Sequence, residues 1–205
     1  MTEATAAGIQ VGQQVPDFTL TTFDPKTGDF GELSLEQQKT DKKWTILFFY
    51  PADFTFVCAT EFKALAEKYE DFQKLGAEVC TVSTDTQFTH LAWHREEGQL
   101  AGVNYPMGAD PTGTVSKLFG VYLDNAGLDL RGAFIISPAG QLMNAEVNFL
   151  NLGRNVDELL RKLRANVYLG NQPGEVCPAN WSNEGDTTLK PSAAMVGRVN
   201  EAMKG

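Results

Sequence analysis

Trp44-Thr45-Ile46-Leu47-Phe48-Phe49-Tyr50-Pro51-Ala52-Asp53-Phe54-Thr55-Phe56-Val57-Cys58 is the stretch that decides the fold. Its first seven residues are too apolar and too rich in β-formers for a surface loop, and Pro51 stops the run, so they read as a buried strand. A helical period follows, with Phe62, Leu65, Tyr69 and Phe72 at spacings of three and four. Gly76 stands just past its end. Cys58 therefore falls in or near the first turn of a helix. Free N–H groups and the positive end of the helix dipole favour an anion there, the setting in which a thiol becomes a nucleophile. A lone cysteine is more commonly a small buried hydrophobe. The Pro-x-x-x-Thr-x-x-Cys spacing at a strand-to-helix junction favours chemistry instead.

Working outward, Ala77-Glu78-Val79-Cys80-Thr81-Val82-Ser83 reads as a second strand and Phe88 to Glu97 as a second helix, a βαβ unit with parallel strands. Upstream, Val15-Pro16-Asp17-Phe18-Thr19-Leu20-Thr21 alternates weakly, as an edge strand or hairpin would. A short helix is expected from Thr114 to Phe119, ending at Gly120. Strands Gly132 to Ser137 and Leu142 to Val147 flank the turn Pro138-Ala139-Gly140-Gln141, which predicts an antiparallel hairpin. The last helix is expected from Val156 to Val167 behind an Asn155 cap, with Leu159, Leu160, Leu163 and Val167 as its buried stripe. A βαβ unit followed by ββα is the pattern of a thioredoxin-like α/β fold, a central mixed sheet flanked by helices, here with an N-terminal extension. From Gly170 the chain turns to Asn171-Gln172-Pro173-Gly174-Glu175-Val176-Cys177-Pro178 and carries few large apolar residues. The expected organisation is a domain over 1–169 and a C-terminal arm over 170–205.

Composition narrows the function. A chain of 205 residues can bury roughly 70% of the surface of its unfolded form, and 42% apolar with 21% charged residues suits a soluble globular protein. The net charge of −9 disfavours nucleic acid or an anionic membrane as a partner. Met1 to Gly8 has neither a basic start nor an apolar run, so a cytoplasmic address is expected. Three cysteines, an odd number, point to redox or catalytic use more than to a disulfide framework.

The other candidate residues differ in weight. Cys177 sits in a Pro/Gly-flanked segment able to move; the alternative is an exposed thiol on a tail. Cys80 lies mid-strand and reads as inert packing. Thr55, three residues before Cys58, is placed to bring its hydroxyl to the sulfur or to cap the helix. Arg131 opens a strand with a permanent charge that would stabilise a thiolate or an oxyanion, although sequence alone does not bring it to Cys58. His90 and His94 have half of a zincin spacing but lack its Glu, so no metal is expected. Gly108-Ala109-Asp110-Pro111-Thr112-Gly113 is not a P-loop, and no Gly-x-Gly-x-x-Gly follows a strand, so no nucleotide cofactor is indicated.

Taken together, these residues resemble the peroxiredoxins, most closely the bacterial alkyl hydroperoxide reductase C type of typical two-cysteine peroxiredoxin. Phe48 to Cys58 followed by Thr60-Glu61 is similar to the peroxidatic-cysteine motif, and Gly174-Glu175-Val176-Cys177-Pro178-Ala179 to the resolving-cysteine motif. Val82-Ser83-Thr84-Asp85, Trp93-His94, Arg131-Gly132 and Gly153-Arg154 fall in the expected order, so the resemblance covers nearly all of the chain after about Val11. It implies a peroxidatic Cys58 and a resolving Cys177 on a neighbouring subunit, joined by a disulfide during turnover. It also implies that Thr55 and Arg131 activate the thiolate and polarise the peroxide, that Pro51 shields the pocket, and that Glu61 and Arg154 orient Arg131. Further implications are hydroperoxide substrates and a dithiol reductant, either thioredoxin or a dedicated flavoprotein disulfide reductase. A homodimer assembling into a decamer-like ring of dimers, with neither metal nor haem as cofactor, completes the expectation.

Three positions depart from that pattern. Ala59 replaces the Pro that usually follows the peroxidatic cysteine, Gly98-Gln99-Leu100-Ala101 replaces Gly-Gly-Leu-Gly, and the sequence ends in Lys204-Gly205 where sensitive members have a Tyr-Phe helix. Resistance to inactivation by excess peroxide is expected. Two rival readings remain. A thiol-disulfide oxidoreductase would want Cys-x-x-Cys, and Thr55 occupies the first sulfur's place. A redox-switched chaperone-like assembly would be oxidised once and would not turn over.

Overall fold

The computed structural model describes residues 8–203; the Met1 to Ala7 start and the Lys204-Gly205 end lie outside them. The chain divides into two compact units, meeting in sequence between Val156 and Asp157.

The first unit is built around β3 (Trp44–Phe49), the strand at the head of the quoted stretch. In chain order it is preceded by β1 (Thr19–Asp24), β2 (Asp29–Ser34) and α1 (Leu35–Thr40). After it come α2 (Phe56–Lys74), β4 (Ala77–Ser83), α3 (Gln87–Glu96), β5 (Met107–Ala109) and α4 (Thr114–Leu118). The short pair β6 (Tyr122–Leu123) and β7 (Leu128–Asp129) leads to β8 (Arg131–Ile136) and β9 (Leu142–Asn148). Seven strands form one mixed sheet in the order β2-β1-β5-β4-β3-β8-β9. β3, β4 and β5 run parallel, as the βαβ reading requires, whereas β3/β8, β8/β9, β1/β2 and β1/β5 are antiparallel.

The all-apolar run of β3 has a physical reason. A central strand is buried on both faces, so alternation with polar residues is lost. Leu47 and Phe49 point to one face and pack with Cys80, Val82, Phe134 and Ile136, with Leu35 of α1 and with Val115 of α4. Ile46 and Phe48, of opposite parity, are likewise fully buried. α2 buries Phe62, Leu65, Tyr69 and Phe72, the stripe read from the sequence, and Gly76 follows its end at φ 75.

Three differences from the sequence expectations have identifiable causes. β1 starts at Thr19 and forms a hairpin with β2 closed through Asp24 to Asp29, as the second of the two readings has it, but it is not an edge, since β5 lies on its other side. β5 is only three residues long, behind Pro106 and centred on Gly108, too short and too broken to show a period. A buried acid cluster caps α4: Asp110 accepts from the backbone N–H of Thr114 and of Ser116 at 3.0 and 2.7 Å. The Ser116 hydroxyl lies 2.8 Å from both Asp110 Oδ2 and Asp129 Oδ2 but has one proton to give. Asp110 already accepts from two N–H groups, so one hydroxyl proton serves two buried carboxyls, and protonation of Asp129 relieves that competition. In agreement, burial pushes the Asp129 carboxyl up to about 7.

The second unit carries most of α5 (Val156–Asn171), which begins at the expected residue and runs four residues beyond the expected end. Leu159, Leu160 and Leu163 are buried, whereas Val167, expected with them, is half-buried. The stretch expected to be an arm makes contacts with this helix. Glu175 accepts hydrogen bonds from the Tyr168 and Thr188 hydroxyls at 2.7 and 2.6 Å, and Val176 bridges Leu189. Trp181, 2% exposed, packs on Tyr168, and its carbonyl accepts from Arg161 at 2.6 Å. A last short helix, α6, spans Val199–Ala202. No helix among the described residues is long and apolar enough to cross a membrane.

Candidate active site

The site starts where β3 ends. Pro51, buried, breaks the strand, and the loop to α2 passes through Phe54 in the left-handed region at φ 57. Thr55 is the N-cap residue by backbone geometry but makes no side-chain capping bond. Its hydroxyl donates to the Ala52 carbonyl at 2.7 Å, so its proton is not spent on the sulfur; this corrects the expected donation from Thr55 to Cys58. The hydroxyl oxygen keeps its capacity to accept. Cys58 is the third residue of α2, in the first turn, and is fully buried. Ala59 follows within the helix, its N–H bonded to the Thr55 carbonyl at 3.3 Å, so the helical turn forms there without the usual proline.

Arg131, at the first residue of β8, is brought beside this turn by the β3/β8 pairing. Its Nη1 donates to Cys58 Sγ at 3.3 Å and to Glu61 Oε2 at 2.7 Å, while Nε donates to the Leu150 carbonyl at 2.7 Å. Glu61 lies one turn after Cys58 on α2 and is 3% exposed. Behind it, Arg154 grips the same carboxylate, with Nε to Oε1 and Nη2 to Oε2 both at 2.9 Å and its backbone N–H to Oε1 at 2.8 Å. The guanidinium also donates to the Gly132 carbonyl and lies over the Phe48 ring, 3.2 Å from its centroid. Burial lowers the Arg154 pKa, and Glu61 opposes that shift. Two guanidiniums share one carboxylate, so the trio carries one net positive charge, and the atom it faces is the Cys58 sulfur. A Cβ on Gly153 would stand 3.3 Å from Val57 Cγ1, so the glycine before Arg154 lets that loop close on α2.

A second buried network has no counterpart among the sequence expectations. The Tyr50 hydroxyl donates to Asp53 Oδ1 at 2.5 Å, and His90 Nδ1 lies 2.8 Å from Asp53 Oδ2. Burial, then the Asp53 charge, raises the Tyr50 pKa, keeping its hydroxyl a donor. Burial likewise raises Asp53, with His90 pulling it back. His90 Nε2 reaches the Gly108 carbonyl at 3.1 Å and His94 Nε2 the Val103 carbonyl at 3.2 Å. Each histidine is thus committed to its own backbone acceptor, and among the described residues no group of three or more His, Cys, Asp and Glu side chains is placed to hold a metal ion. The signal in the sequence was the polar Asp53 inside an otherwise apolar stretch, a residue that is rarely buried without a partner.

Cys80 is fully buried in β4, and burial pushes its thiol pKa far up. Cys177, in the second unit, is half-buried and free; burial raises its thiol, with Arg161 opposing and Glu175 reinforcing.

Comparison with known proteins shows the family. Residues 11–145 match the AhpC/TSA family, and residues 169–202 match the C-terminal domain of 1-Cys peroxiredoxin, although this chain carries Cys177 there. Alkyl hydroperoxide reductase C of Escherichia coli K12 is 45% identical over 174 residues, 85% of this chain and 91% of that protein. Its Staphylococcus aureus counterpart is 42% identical over 189 residues, covering 92% and 98%. The crystal structure of reduced Plasmodium vivax 2-Cys peroxiredoxin superposes with a TM-score of 0.84 at 34% identity, over 92% of this chain and 99% of that one. Enterococcus faecalis AhpC gives 0.77 at 39%, over 82% and 98%. With a mixed sheet of this topology and family similarity along most of its length, the chain belongs to the AhpC/TSA family and has the thioredoxin-like peroxiredoxin fold.

Proposed function

We propose that this chain is a thiol-dependent peroxidase that reduces hydrogen peroxide and organic hydroperoxides at Cys58. The observation that carries the reading is the Arg131 guanidinium held 3.3 Å from the Cys58 sulfur by a buried carboxylate. The Cys58 thiolate attacks the distal oxygen of the hydroperoxide. An S–O bond forms as the O–O bond breaks, the leaving oxygen collects the hydroperoxide's own proton and departs as alcohol or water, and the sulfenate left on sulfur takes a proton from solvent. Sulfur is oxidised by two electrons and the peroxide reduced by two. Arg131 stabilises the charge as it moves from sulfur to oxygen, Thr55 accepts a hydrogen bond from the bound hydroperoxide, and Pro51 shields the pocket. Glu61 and Arg154 keep the guanidinium in place.

The resulting sulfenic acid reacts with the Cys177 thiol of a second copy, releasing water and leaving an intersubunit disulfide. An external dithiol protein, thioredoxin or a dedicated flavoprotein disulfide reductase, restores both thiols. In this scheme residues 1–169 are the peroxidase domain and 170–205 the arm that delivers the resolving sulfur. The protein works in the cytoplasm as a homodimer, and dimers assemble into a ring. The names of the relatives, alkyl hydroperoxide reductase C and 2-Cys peroxiredoxin, support the substrate class and the two-cysteine route.

The test combines peroxide consumption under a dithiol with a non-reducing gel. Wild type is expected to turn over and, once oxidised, to run as a dimer. Cys58→Ser loses turnover because a serine hydroxyl is not ionised at neutral pH. Cys177→Ser stays monomeric on the gel and accumulates Cys58 sulfenic or sulfinic acid. Turnover that survives Cys58→Ser overturns the assignment, and a single stoichiometric oxidation without turnover favours a redox switch.

A further inference from the structure

The buried network around Asp53 has no part in the chemistry above, yet it grips the loop that delivers Cys58. A carbonyl only accepts, so the contact with Gly108 puts a proton on His90 Nε2, and the 2.8 Å contact between Nδ1 and Asp53 Oδ2 requires a second proton, held between ring and carboxylate. Asp53 is therefore held from three sides: by Tyr50 at the end of β3, by His90 on α3, and by Asp85 after β4, whose Oδ2 accepts the Asp53 backbone N–H at 2.8 Å. The next residue, Phe54, holds a left-handed backbone at φ 57 with its side chain 56% exposed. For a bulky residue that conformation persists only where neighbours over-determine it. One residue further on is the N-cap of α2, and three beyond that is Cys58, fully buried. A buried sulfur inside a helical turn cannot come within disulfide distance of a second thiol until that turn opens.

Resting on the peroxidase reading above, we propose that Asp53 and His90 form a latch on the Pro51 to Thr55 loop, and that His90 is a positioning residue setting the balance between two states. In the closed state the turn presents Cys58 to Arg131. In the open state the strained loop is released and Cys58 meets the resolving thiol. His90 acts through Asp53 and touches no reacting atom.

Two substitutions separate this latch from ordinary core packing. In His90→Asn the side-chain amide stands near the Nδ1 position and keeps a donor for Asp53; in His90→Gln it stands near Nε2 and keeps only the Gly108 contact. The measurement is hydrogen exchange of the amides of residues 52–60 in reduced protein without peroxide. His90→Gln is expected to accelerate exchange there about tenfold or more, the scale of one lost charged hydrogen bond, with β8 amides unchanged. His90→Asn should stay within about threefold of wild type. Asp53→Ala cuts the latch from the loop side without touching α3 and should match His90→Gln, which keeps the test available if that variant fails to fold. Under excess peroxide, His90→Gln should also yield less sulfinic acid per turnover than wild type, because faster opening favours the disulfide. Equal exchange in the Asn and Gln variants, or acceleration spread evenly into β8, overturns the latch. If exchange separates the variants but wild type consumes no peroxide, the latch stands and the peroxidase reading fails. The reverse result sinks the latch alone.

Discussion

Arg131→Lys keeps the charge at the site and removes its geometry. In the wild-type protein one guanidinium serves three acceptors: Leu150 O through Nε at 2.7 Å, Glu61 Oε2 through Nη1 at 2.7 Å, and Cys58 Sγ through the same Nη1 at 3.3 Å. A lysine ammonium is a single compact point on a flexible stem; it can stay with Glu61 but cannot hold the Leu150 carbonyl and the sulfur as well. The lost bond to Leu150 costs stability about 1.5–3 kcal/mol, which a domain with a reserve of about 5–15 kcal/mol survives. Loss of one preorganised donor at a developing charge costs about 2.7–4 kcal/mol in the transition state. At about 1.36 kcal/mol per tenfold, that is a fall of roughly 100- to 1,000-fold in rate. The assay is stopped-flow reaction of the reduced protein with hydrogen peroxide in a single turnover, read as a second-order rate constant, with circular dichroism to show that the variant is folded. A rate constant within about threefold of wild type in a folded variant would refute the role given to Arg131.

Other outcomes follow from the same geometry. Glu61→Gln leaves two buried guanidiniums facing a neutral amide, so the urea midpoint should fall by an amount equivalent to about 3–5 kcal/mol; a shift below about 1 kcal/mol would show that the trio is not electrostatically coupled. Cys80→Ser should keep full peroxide turnover while losing about 1–3 kcal/mol of stability from a buried hydroxyl; a folded, inactive variant would mean that the wrong thiol has been chosen. Asp129, with its carboxyl raised to about 7, supplies the pH dependence. Its unfolded value is about 3.9, so between about pH 4 and 7 the fold retains a proton that the unfolded chain has lost, and stability falls as pH rises. Asp129→Asn, whose amide also donates to Ser116, should change melting little near pH 4 and stabilise by up to a few kcal/mol above pH 7; equal effects at both pH values would contradict the protonated acid.

What the sequence disclosed depended on how local the signal was. The β3 to α2 junction was legible because a fully buried central strand leaves an unbroken apolar run, and the helix after it keeps a clean period. Arg131, Glu61 and Arg154 are far apart in the chain, and no spacing joins them; only the family resemblance nominated them together, and the antiparallel pairing of β8 on β3 supplies the reason they meet. Asp53 gave a signal for the Tyr50, Asp53 and His90 network but not its partners, because the His90 and His94 spacing raises only the question of a metal, and the partner of His90 lies 37 residues earlier on another element. Thr55 was legible as the backbone N-cap of α2, but a hydroxyl rotates freely, and sequence cannot say that the Ala52 carbonyl captures its proton. In the second unit Gly170 suggested a break, yet α5 continues through it, and the large anchors Tyr168 and Trp181 lie outside the Pro/Gly segment that suggested an arm.

Glu61 and Arg131 have one more consequence, for the chain during its own synthesis. Arg131 lies 73 residues after Cys58. At elongation rates of about 5–20 residues per second, Cys58 is made roughly 4–15 s before the guanidinium it depends on. In that interval β8 does not exist, the central strand has only one of its two neighbours, and no positive charge stands at the sulfur. On the proposed mechanism, the nascent chain therefore carries Cys58 past any peroxide in its surroundings without its guanidinium, and full reactivity waits until β8 docks against β3.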